Sequence, residues 1–439
     1  MTLSSPLIAD VVNSTRSRFV AHAALAAFAI ALIARAVAAL MFADIDPATA
    51  QLWEYGEQAR CAVLNNAPLC LYKFAGAHAQ PYPSAFMPPL LSYLWWGLFT
   101  VLGVTSAAIA AFLAINVVVG AACAPLVYRL TRQLGLSAEA GFAAALALAL
   151  YPSFIFIAST THNTNFAVFF FLALASLAAD LARRPNLARA ALFGLAAGLA
   201  TLNRSEMLII APALAIAAGA FARQVRTPLL AIACMAVVIA PWAARNEALF
   251  GAPIPTAQSA GYNLWKGFAP GSDGSGEATE ADPTFTAARA AVRAETPVGP
   301  TFEKDVDAAY MAKARAALAD MTPLDHARLA ALKVAKLWTL EWSDPVTMQP
   351  LYIAPWLLAN LLALIGLASL WRQRAAVDLA TLAMIVLVLG GLTGAHAATF
   401  VHARYRMHIE PFLFILAGAA LADLYRRFVT RQQRRHVPV

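Results

Sequence analysis

Charged residues are scarce in this sequence. Only 13% of its 439 residues are Asp, Glu, Lys or Arg, whereas 61% are hydrophobic. A soluble core could not bury that much apolar surface, so the composition indicates a polytopic membrane protein. Lys and Arg exceed Asp and Glu by 32 to 24. Because the basic residues form short clusters between apolar runs, they favour cytoplasmic loops over a nucleic-acid-binding surface.

Cysteine is also rare, with four residues in all, which are too few for a disulfide scaffold. Cys123 and Cys234 lie in apolar runs and are interpreted as inert thiols. Cys61 and Cys70 share the first polar loop, and they could pair if that loop faces an oxidising compartment.

The sequence lacks the common motifs of metal-binding, nucleotide-binding and serine-hydrolase sites. The sequence shows no metal-ligand spacing, no nucleotide-binding loop and no convincing Ser-His-Asp order. No cleavable signal peptide is evident, because Arg16 and Arg18 precede an apolar run long enough to span a membrane. The sequence leaves any requirement for a divalent metal undecided.

Long apolar runs predict about ten transmembrane helices. The runs lie near 19–42, 106–128, 138–158, 166–182, 187–202, 206–222, 227–243, 350–371, 375–398 and 409–425. The run 88–103 is ambiguous. If it does not cross, the Arg clusters all fall on one side, as the positive-inside rule requires. We therefore predict an interfacial or re-entrant helix there, with Trp95 and Trp96 at headgroup depth and both termini cytoplasmic.

The predicted fold is all-α, with three parts along the chain. An N-terminal transmembrane module, 1–243, contains an acidic first outer loop, 43–87. A polar outer-side insert follows at 244–346, and transmembrane helices with a basic cytoplasmic tail occupy 347–439. Ionisable residues gather at the outer boundary rather than inside the spans. This placement favours a reaction at the membrane surface over a pump or channel, which usually places such residues near the midplane.

The first outer loop contains the candidate catalytic acids Asp44, Asp46, Glu54 and Glu57. The pattern from Pro47 onward predicts an amphipathic helix, on which Glu54 and Glu57 share one face. A carboxylate shielded by Trp53 and Tyr55 could serve as a general base toward a hydroxyl. Asp46 could instead cap that helix, and a solvated loop is the alternative for each single acid.

Several cationic residues could hold a phosphate. Arg35 lies within the first predicted span, where a charge is costly and suggests function; it could pair with Asp44 or Asp46, bind a lipid phosphate, or snorkel to the interface. Arg404-Tyr405-Arg406, in a basic outer loop, could form a phosphate clamp because guanidinium groups offer bidentate donors.

Three further residues are weaker candidates. Arg204 and Glu206 lie between two predicted spans and could form either a surface ion pair or a second part of the same site. His162, in a short outer turn, could contact an acceptor or a metal, although a lone loop histidine more often does neither.

Five segments form an ordered set: Trp53–Arg60, Pro83–Leu91, Gly194–Glu206, Pro241–Asn246 followed by Gly261–Trp265, and Arg404–Arg406. In this order they resemble the GT-C-type membrane glycosyltransferases of the protein-O-mannosyltransferase and aminoarabinose-transferase-like group. The resemblance covers about residues 30 to 425, and five segments in register make it fairly specific.

The resemblance implies an inverting transfer of a sugar from a polyprenyl-phosphate donor to an acceptor hydroxyl at the outer leaflet. A first-loop carboxylate would deprotonate the acceptor, and cationic groups would stabilise the departing lipid phosphate. The acceptor would be a glycolipid, a glycan or a protein. Tyr55, Tyr262 and Lys266 join the arginines as expected substrate-binding residues.

The sequence departs from the family pattern at three places. Gln51 stands where many relatives have Asp, which makes Glu54 the preferred base, with Asp46 and Asp44 as rivals. Met87 replaces a Lys of the aminoarabinose type, so phosphate binding falls to arginines or Lys266. His162 and Asn163 stand where some relatives place an acid, and this leaves a metal in doubt.

Two other functions compete with glycosyl transfer. A transporter or flippase of a lipid-linked sugar would share Arg35 and the basic outer loop, but it should show polar residues along several spans, which here are nearly all apolar. A membrane scaffold is the third reading, against which the clustered acids and arginines argue. The Ala-rich composition favours a bacterial inner membrane, with the site facing the periplasm.

Overall fold

The computed structural model describes residues 6–73 and 79–435, with side chains between residues 22 and 432 of those ranges. Residues 74–78 of the predicted first outer loop lie outside the described residues. The same holds for the side chains of Arg16, Arg18, Arg434 and Arg435 in the predicted basic clusters. The described chain is almost entirely helical.

Ten helices precede the insert. They are α1 (Pro6–Phe42), α2 (Trp53–Asn65), α3 (Pro89–Leu102), α4 (Ser106–Gln133), α5 (Ala138–Leu150), α6 (Pro152–Phe156), α7 (Thr164–Arg183), α8 (Leu187–Thr201), α9 (Met207–Ala222) and α10 (Arg226–Phe250). Polar caps begin some of them: Ser137 Oγ accepts a hydrogen bond from the Ala140 amide before α5, and the Asn186 side chain caps α8.

Eight helices follow. They are α11 (Ala260–Phe268), α12 (Gly276–Ala281), α13 (Pro283–Glu295), α14 (Phe302–Ala319), α15 (Pro323–Trp338), α16 (Pro350–Arg372), α17 (Leu379–Ala398) and α18 (Glu410–Arg435). Short 3-10 segments occur at Ile157–Ser159, Pro345–Met348, Arg374–Ala376 and Ala403–His408. The first outer loop contains two antiparallel strands, β1 (Cys70–Tyr72) and β2 (Pro81–Pro83), with Leu71 opposite Tyr82.

The apolar runs fold into helices as predicted, which confirms an all-α polytopic fold. Among the described residues, six helices are long and apolar enough to cross a membrane: α1, α4, α7, α10, α16 and α17. The pair α5 and α6, which bends by 58°, is a seventh candidate span. The run 88–103 also forms a helix, the short apolar α3. Its Trp95 is fully buried against Phe112, whereas Trp96 is 43% exposed.

The break between α5 and α6 explains a buried charge. Pro152 has no N–H, so the carbonyl of Leu148 loses its helical partner at the break. The fully buried Arg35 of α1 donates hydrogen bonds to the carbonyls of Leu148 and Ala149, at 3.3 and 3.2 Å. Arg35 therefore satisfies the backbone of a broken span and contacts neither Asp44 nor Asp46.

The first outer loop is fastened to itself and to the membrane helices. Cys61 of α2 and Cys70 of β1 form a disulfide. A hydrophobic cluster, with Tyr55 and Trp95 among its buried members, packs α2 against α3 and α4. The disulfide and this cluster together hold α2 against β1, α3 and α4.

The insert has a core of its own. Tyr262, Trp265, Phe285 and Phe302 pack together, and Tyr82 of the first outer loop joins them. Helix α10 continues to Phe250, past the predicted boundary at 243.

The insert also touches the segment between α17 and α18. Gly274 and Gly276 exchange backbone hydrogen bonds with Val401, at 2.9 and 2.8 Å. Gly267 of α11 approaches the Thr399 carbonyl so closely that a Cβ at residue 267 would lie 1.7 Å from its oxygen. These contacts place the insert against the segment that joins α17 and α18.

Candidate active site

A cavity of about 800 Å³ lies where the first outer loop, the insert and the outer helix ends meet. Most of the predicted site residues line it: Glu54, Tyr55, His162, Arg204, Glu206, Tyr262, Lys266, Arg404 and Tyr405. Five predicted residues do not: Asp44, Asp46, Glu57, Arg35 and Arg406. The cavity therefore collects residues that are up to 354 positions apart in the chain, from Gln51 to Tyr405.

The start of α2 is held by the turn before α7. The Thr161 hydroxyl donates a hydrogen bond to the Gln51 carbonyl, and the Asn163 side chain donates one to the Tyr55 hydroxyl at 2.6 Å. Trp53 adopts a φ of 55°, which is rare for a bulky residue, and its ring meets His162 edge-on at 4.8 Å. Such strain persists only where neighbours over-determine the backbone, and it is common at functional sites.

Helix α2 begins at Trp53 rather than at Pro47, so the predicted helix start is wrong. Residues 47–49 form a turn, in which Asp46 accepts a hydrogen bond from the Ala48 amide at 2.9 Å. Asp44 in turn accepts one from the Asp46 amide at 3.0 Å. Both carboxylates therefore organise the local backbone, outside the cavity.

Glu54 is the cavity carboxylate with the fewest partners. It is half-buried and forms neither a hydrogen bond nor an ion pair with any residue in the described ranges. Glu57, one turn further on, binds Arg60 at 2.6 Å instead. Burial raises the pKa of Glu57, and Arg60 opposes that shift.

The other cavity carboxylates already have partners. Glu206 forms an ion pair with Arg204. Glu280 accepts hydrogen bonds from Lys266 at 2.9 Å and from the Tyr262 hydroxyl at 2.6 Å. The largely exposed Glu277 lies 3.0 Å from His402 Nδ1, without the alignment of a hydrogen bond.

Among the cations of the cavity, Arg404 resembles Glu54 in having neither a hydrogen bond nor an ion pair with a described residue. Its guanidinium lies 5.6 Å from the ring centres of both Trp53 and Tyr405. Its buried Nε has no hydrogen-bond partner, and it forms no ion pair within the described part of the chain. Arg404 therefore keeps its donors available for a ligand.

Arg204 and Lys266 differ, because each is neutralised within the protein. Burial alone would lower the pKa of Arg204, but the charge of Glu206 holds it above its usual range. Burial lowers the pKa of Lys266, which Glu280 partly opposes. Burial also lowers the pKa of His162 and raises that of Tyr55, so both are neutral near pH 7.

Arg406 does not join Arg404 in a clamp. It is buried, donates from Nε to Glu410 at 2.9 Å, and donates from Nη1 to the Thr339 carbonyl at 2.5 Å. Glu410 also accepts a hydrogen bond from the Tyr151 hydroxyl at 3.1 Å. Arg406 thus ties three distant segments together away from the cavity.

Sequence reasoning missed several lining residues, among them Tyr72, Tyr82, Glu280, Arg289, Arg293, Tyr310 and His402. Arg289 and Arg293 have a helical spacing of four, which could have been noticed on the amphipathic α13. The tyrosines carry no such signal, because they come from separate segments.

The described residues contain no group of three or more His, Cys, Asp or Glu that could hold a metal ion. The cavity carboxylates are largely engaged by cations. A divalent metal stays an untested prediction.

A family model described as dolichyl-phosphate-mannose-protein mannosyltransferase matches residues 87–244. The chain is also similar to the archaeal oligosaccharyltransferase AglB from Archaeoglobus fulgidus, solved with an inhibitory peptide and a dolichol-phosphate. The TM-score is 0.52 and the identity 14%, over 96% of this chain and 52% of that one. This likeness shows that the chain shares the fold of that protein.

The apo form of an A. fulgidus oligosaccharyltransferase matches the chain equally well, with a TM-score of 0.52 and 13% identity over 95% of this chain and 52% of that one. ArnT from Cupriavidus metallidurans, in the apo state, matches with a TM-score of 0.37 and 14% identity, over 92% of this chain and 77% of that one. No curated protein matched. The chain spans about half the length of the A. fulgidus structures.

Proposed function

We propose that this GT-C-type protein is an inverting glycosyltransferase that moves a sugar from a polyprenyl-phosphate donor to an acceptor hydroxyl. The observation that carries the proposal is that Glu54 and Arg404 line one cavity and that neither forms an ion pair or a hydrogen bond with a described residue. A free carboxylate and a free guanidinium are the groups that this reaction needs. The division into residues 1–243, 244–346 and 347–439 belongs to the proposal.

In the proposed reaction, a Glu54 carboxylate oxygen takes the proton of the acceptor hydroxyl. The acceptor oxygen attacks the anomeric carbon from the face opposite the phosphate, and the bond from that carbon to the phosphate oxygen breaks. The bonding electrons stay on the polyprenyl phosphate, which leaves with one more negative charge. The anomeric configuration is therefore inverted.

Arg404 is the proposed phosphate ligand. Its guanidinium can donate two parallel hydrogen bonds to phosphate oxygens, and these strengthen as negative charge develops on the leaving group. Arg204 is less suited to this role, because Glu206 already neutralises it. Both guanidiniums lie near the Tyr405 ring, Arg204 at 5.3 Å and Arg404 at 5.6 Å from its centre.

Two observations support a site on the outer face. The Cys61–Cys70 disulfide lies in the loop that carries Glu54, and disulfides persist in oxidising compartments. The basic clusters fall on the opposite side of the predicted spans. A bacterial inner membrane with the cavity facing the periplasm fits both.

The proposed partners are a polyprenyl-phosphate sugar donor, membrane lipid, and an acceptor that is a glycolipid, a glycan or a protein. The AglB structure holds a dolichol-phosphate and an inhibitory peptide, and it shares this fold. Those ligands support a lipid phosphate and a separate acceptor here.

The test uses the purified full-length protein with a panel of polyprenyl-phosphate sugars and a membrane glycolipid extract. We expect release of polyprenyl phosphate that requires the extract, and a product whose anomeric configuration, measured by NMR, is opposite to the donor's. Movement of an intact lipid-linked sugar between liposome leaflets without any release would contradict the transferase and favour the flippase.

A further inference from the structure

The cavity extends away from Glu54 and Arg404 into the insert. Its far part, here called the outer end, is lined by aromatic hydroxyl groups and two arginines. These residues are Tyr72, Tyr82, Tyr262, Arg289, Arg293 and Tyr310. Strands β1 and β2 supply the first two, and the insert supplies the rest.

Arg289 and Arg293 lie one helical turn apart on α13, so their side chains share a face. Arg289 Nη1 donates to the Tyr262 hydroxyl at 3.1 Å. Arg293 Nη2 lies 3.5 Å from both the Tyr82 hydroxyl and the Tyr72 carbonyl. Neither arginine forms an ion pair with a carboxylate in the described ranges.

Two carboxylates, those of Glu280 and Asp307, accept hydrogen bonds from Tyr262, and neither forms an ion pair with either of these arginines. Glu280 already accepts hydrogen bonds from Lys266 and from Tyr262. Each guanidinium carries five N–H donors, and the contacts described use only a few of them. The outer end therefore has two guanidiniums with spare donors and without an ion pair among the described residues.

We propose that the outer end binds an anionic group of the acceptor, a phosphate or a sugar carboxylate, so that the acceptor is an acidic glycan or glycolipid. Paired guanidiniums match the planar, bidentate geometry of carboxylate and phosphate. The tyrosine rings add apolar faces for sugar rings and hydroxyls for their oxygens.

The acceptor, rather than the donor, fits this position. The polyprenyl chain of a donor must stay with the apolar spans, where Arg404 lies beside the end of α17. The outer end belongs to the polar insert. A row of hydrogen bonds leads along the cavity wall to the outer end. Lys266 contacts Glu280 at 2.9 Å, Glu280 contacts Tyr262 at 2.6 Å, and Tyr262 contacts Arg289 at 3.1 Å. A ligand group held at the outer end would thus lie beyond the reacting centre. This inference rests on the proposed function.

The first experiment measures binding to the purified full-length protein in detergent. The probes are trigalacturonate, which carries carboxylates, glucose 6-phosphate, which carries a phosphate, and neutral maltotriose. We expect at least one anionic probe to bind more tightly than maltotriose by about tenfold, the gain of one charge-assisted contact. The probe that binds identifies the anion. Equal or absent binding of all three would overturn the proposal without any variant.

The second experiment asks whether the arginines are responsible. Arg289→Gln and Arg293→Gln should each weaken binding of the anionic probe by about tenfold. Arg315→Gln, an exposed arginine of α14 outside the cavity, is the matched control and should change nothing. Unchanged binding in both cavity variants would overturn the proposal.

Turnover separates this inference from the proposed function. Arg293→Gln should raise the concentration of glycolipid extract needed for half-maximal polyprenyl phosphate release and leave the donor dependence unchanged. If the wild-type protein releases no polyprenyl phosphate, the transferase itself fails. If release is normal but anionic probes do not bind and Arg293→Gln has no effect, only the acidic acceptor fails.

Discussion

Two regions of this protein each hold an arginine that the sequence marks as a phosphate ligand, and they use it differently. At the break between α5 and α6, Arg35 is fully buried and donates to backbone carbonyls left open by the broken helix. In the cavity, Arg404 forms no hydrogen bond or ion pair with any described residue, and its guanidinium lies 5.6 Å from the ring centres of Trp53 and Tyr405. Backbone carbonyls of the protein bind the Arg35 guanidinium, whereas the Arg404 guanidinium is available to a ligand.

The same contrast separates the acids. Glu57 and Glu410 are engaged by Arg60 and Arg406, whereas Glu54 has neither a hydrogen bond nor an ion pair among the described residues. A charge in a membrane protein is costly wherever it is buried. What distinguishes a structural charge from a functional one here is whether the protein's own groups satisfy it. Structural charges should therefore affect stability when changed, and available charges should affect turnover.

The largest expected effect on stability concerns Glu303 of α14. It accepts hydrogen bonds from the Ser84 hydroxyl and the Ala85 amide at 2.5 and 2.6 Å, and burial raises its pKa to about 8. Because the native state holds this proton above the usual pKa of 4.5, stability should fall as the pH rises from about 5 to 8, by several kcal/mol in linkage terms.

The variant Glu303→Gln mimics the protonated form and should remove most of that pH dependence. Thermal unfolding followed by tryptophan fluorescence between pH 5 and 9 measures it, with Glu295→Gln, on the exposed end of α13, as the control. A wild-type midpoint that does not change with pH would show that Glu303 does not titrate in this range.

Breaking the buried Arg406–Glu410 pair should have the next largest effect on stability. Arg406→Gln leaves Glu410 buried without its charge partner, which costs about 3–5 kcal/mol. The measurement is the free energy of unfolding in denaturant, and turnover per folded molecule should stay the same. The double variant Arg406→Gln/Glu410→Gln should recover part of the loss, since it leaves no lone charge. Full stability in the single variant would mean that the pair is not a structural tie.

Arg404→Gln should lower turnover and leave stability unchanged, the opposite of Arg406→Gln. Loss of a donor to the leaving phosphate is expected to lower the rate of polyprenyl phosphate release by about 10²–10³-fold, while the unfolding midpoint stays unchanged. Arg404→Lys retains the charge without the bidentate geometry and should be intermediate. A variant that unfolds early yet turns over normally would place Arg404 with the structural arginines.

The smallest effect is expected at Arg35. Arg35→Leu leaves carbonyls of α5 without donors in an apolar region, at a cost of about 1–3 kcal/mol. The midpoint of thermal unfolding should fall, and donor binding should be retained. Loss of donor binding with normal stability would restore Arg35 as a lipid phosphate ligand.

The sequence predicts the helices well because the length and apolarity of a span are local properties. It predicts the start of α2 poorly. Asp44 and Asp46 look like a helix start, but their side chains support a turn, and the helix begins at Trp53 only where Thr161 meets Gln51. That contact joins positions 110 residues apart.

The site was predicted only in part, because it too depends on contacts between residues that are distant in the sequence. Segments that resemble the family supplied Glu54, Arg204 and Arg404, but the sequence cannot show which charges are already satisfied. Arg289 and Arg293 were missed because two arginines at helical spacing in a polar insert usually lie on a solvated face. Only the fold brings that face to the cavity.

The most direct measurement compares Glu54→Gln with Glu57→Gln, two acids one turn apart on α2 of which only the first lines the cavity. Single-turnover release of polyprenyl phosphate and donor binding would be measured on the same preparations. We expect Glu54→Gln to bind donor normally and to slow release by about 10²–10⁴-fold, the range for a general base, with Glu57→Gln near wild type. Normal release by Glu54→Gln would contradict the account, and a loss found instead in Asp46→Asn would move the base to the turn before α2.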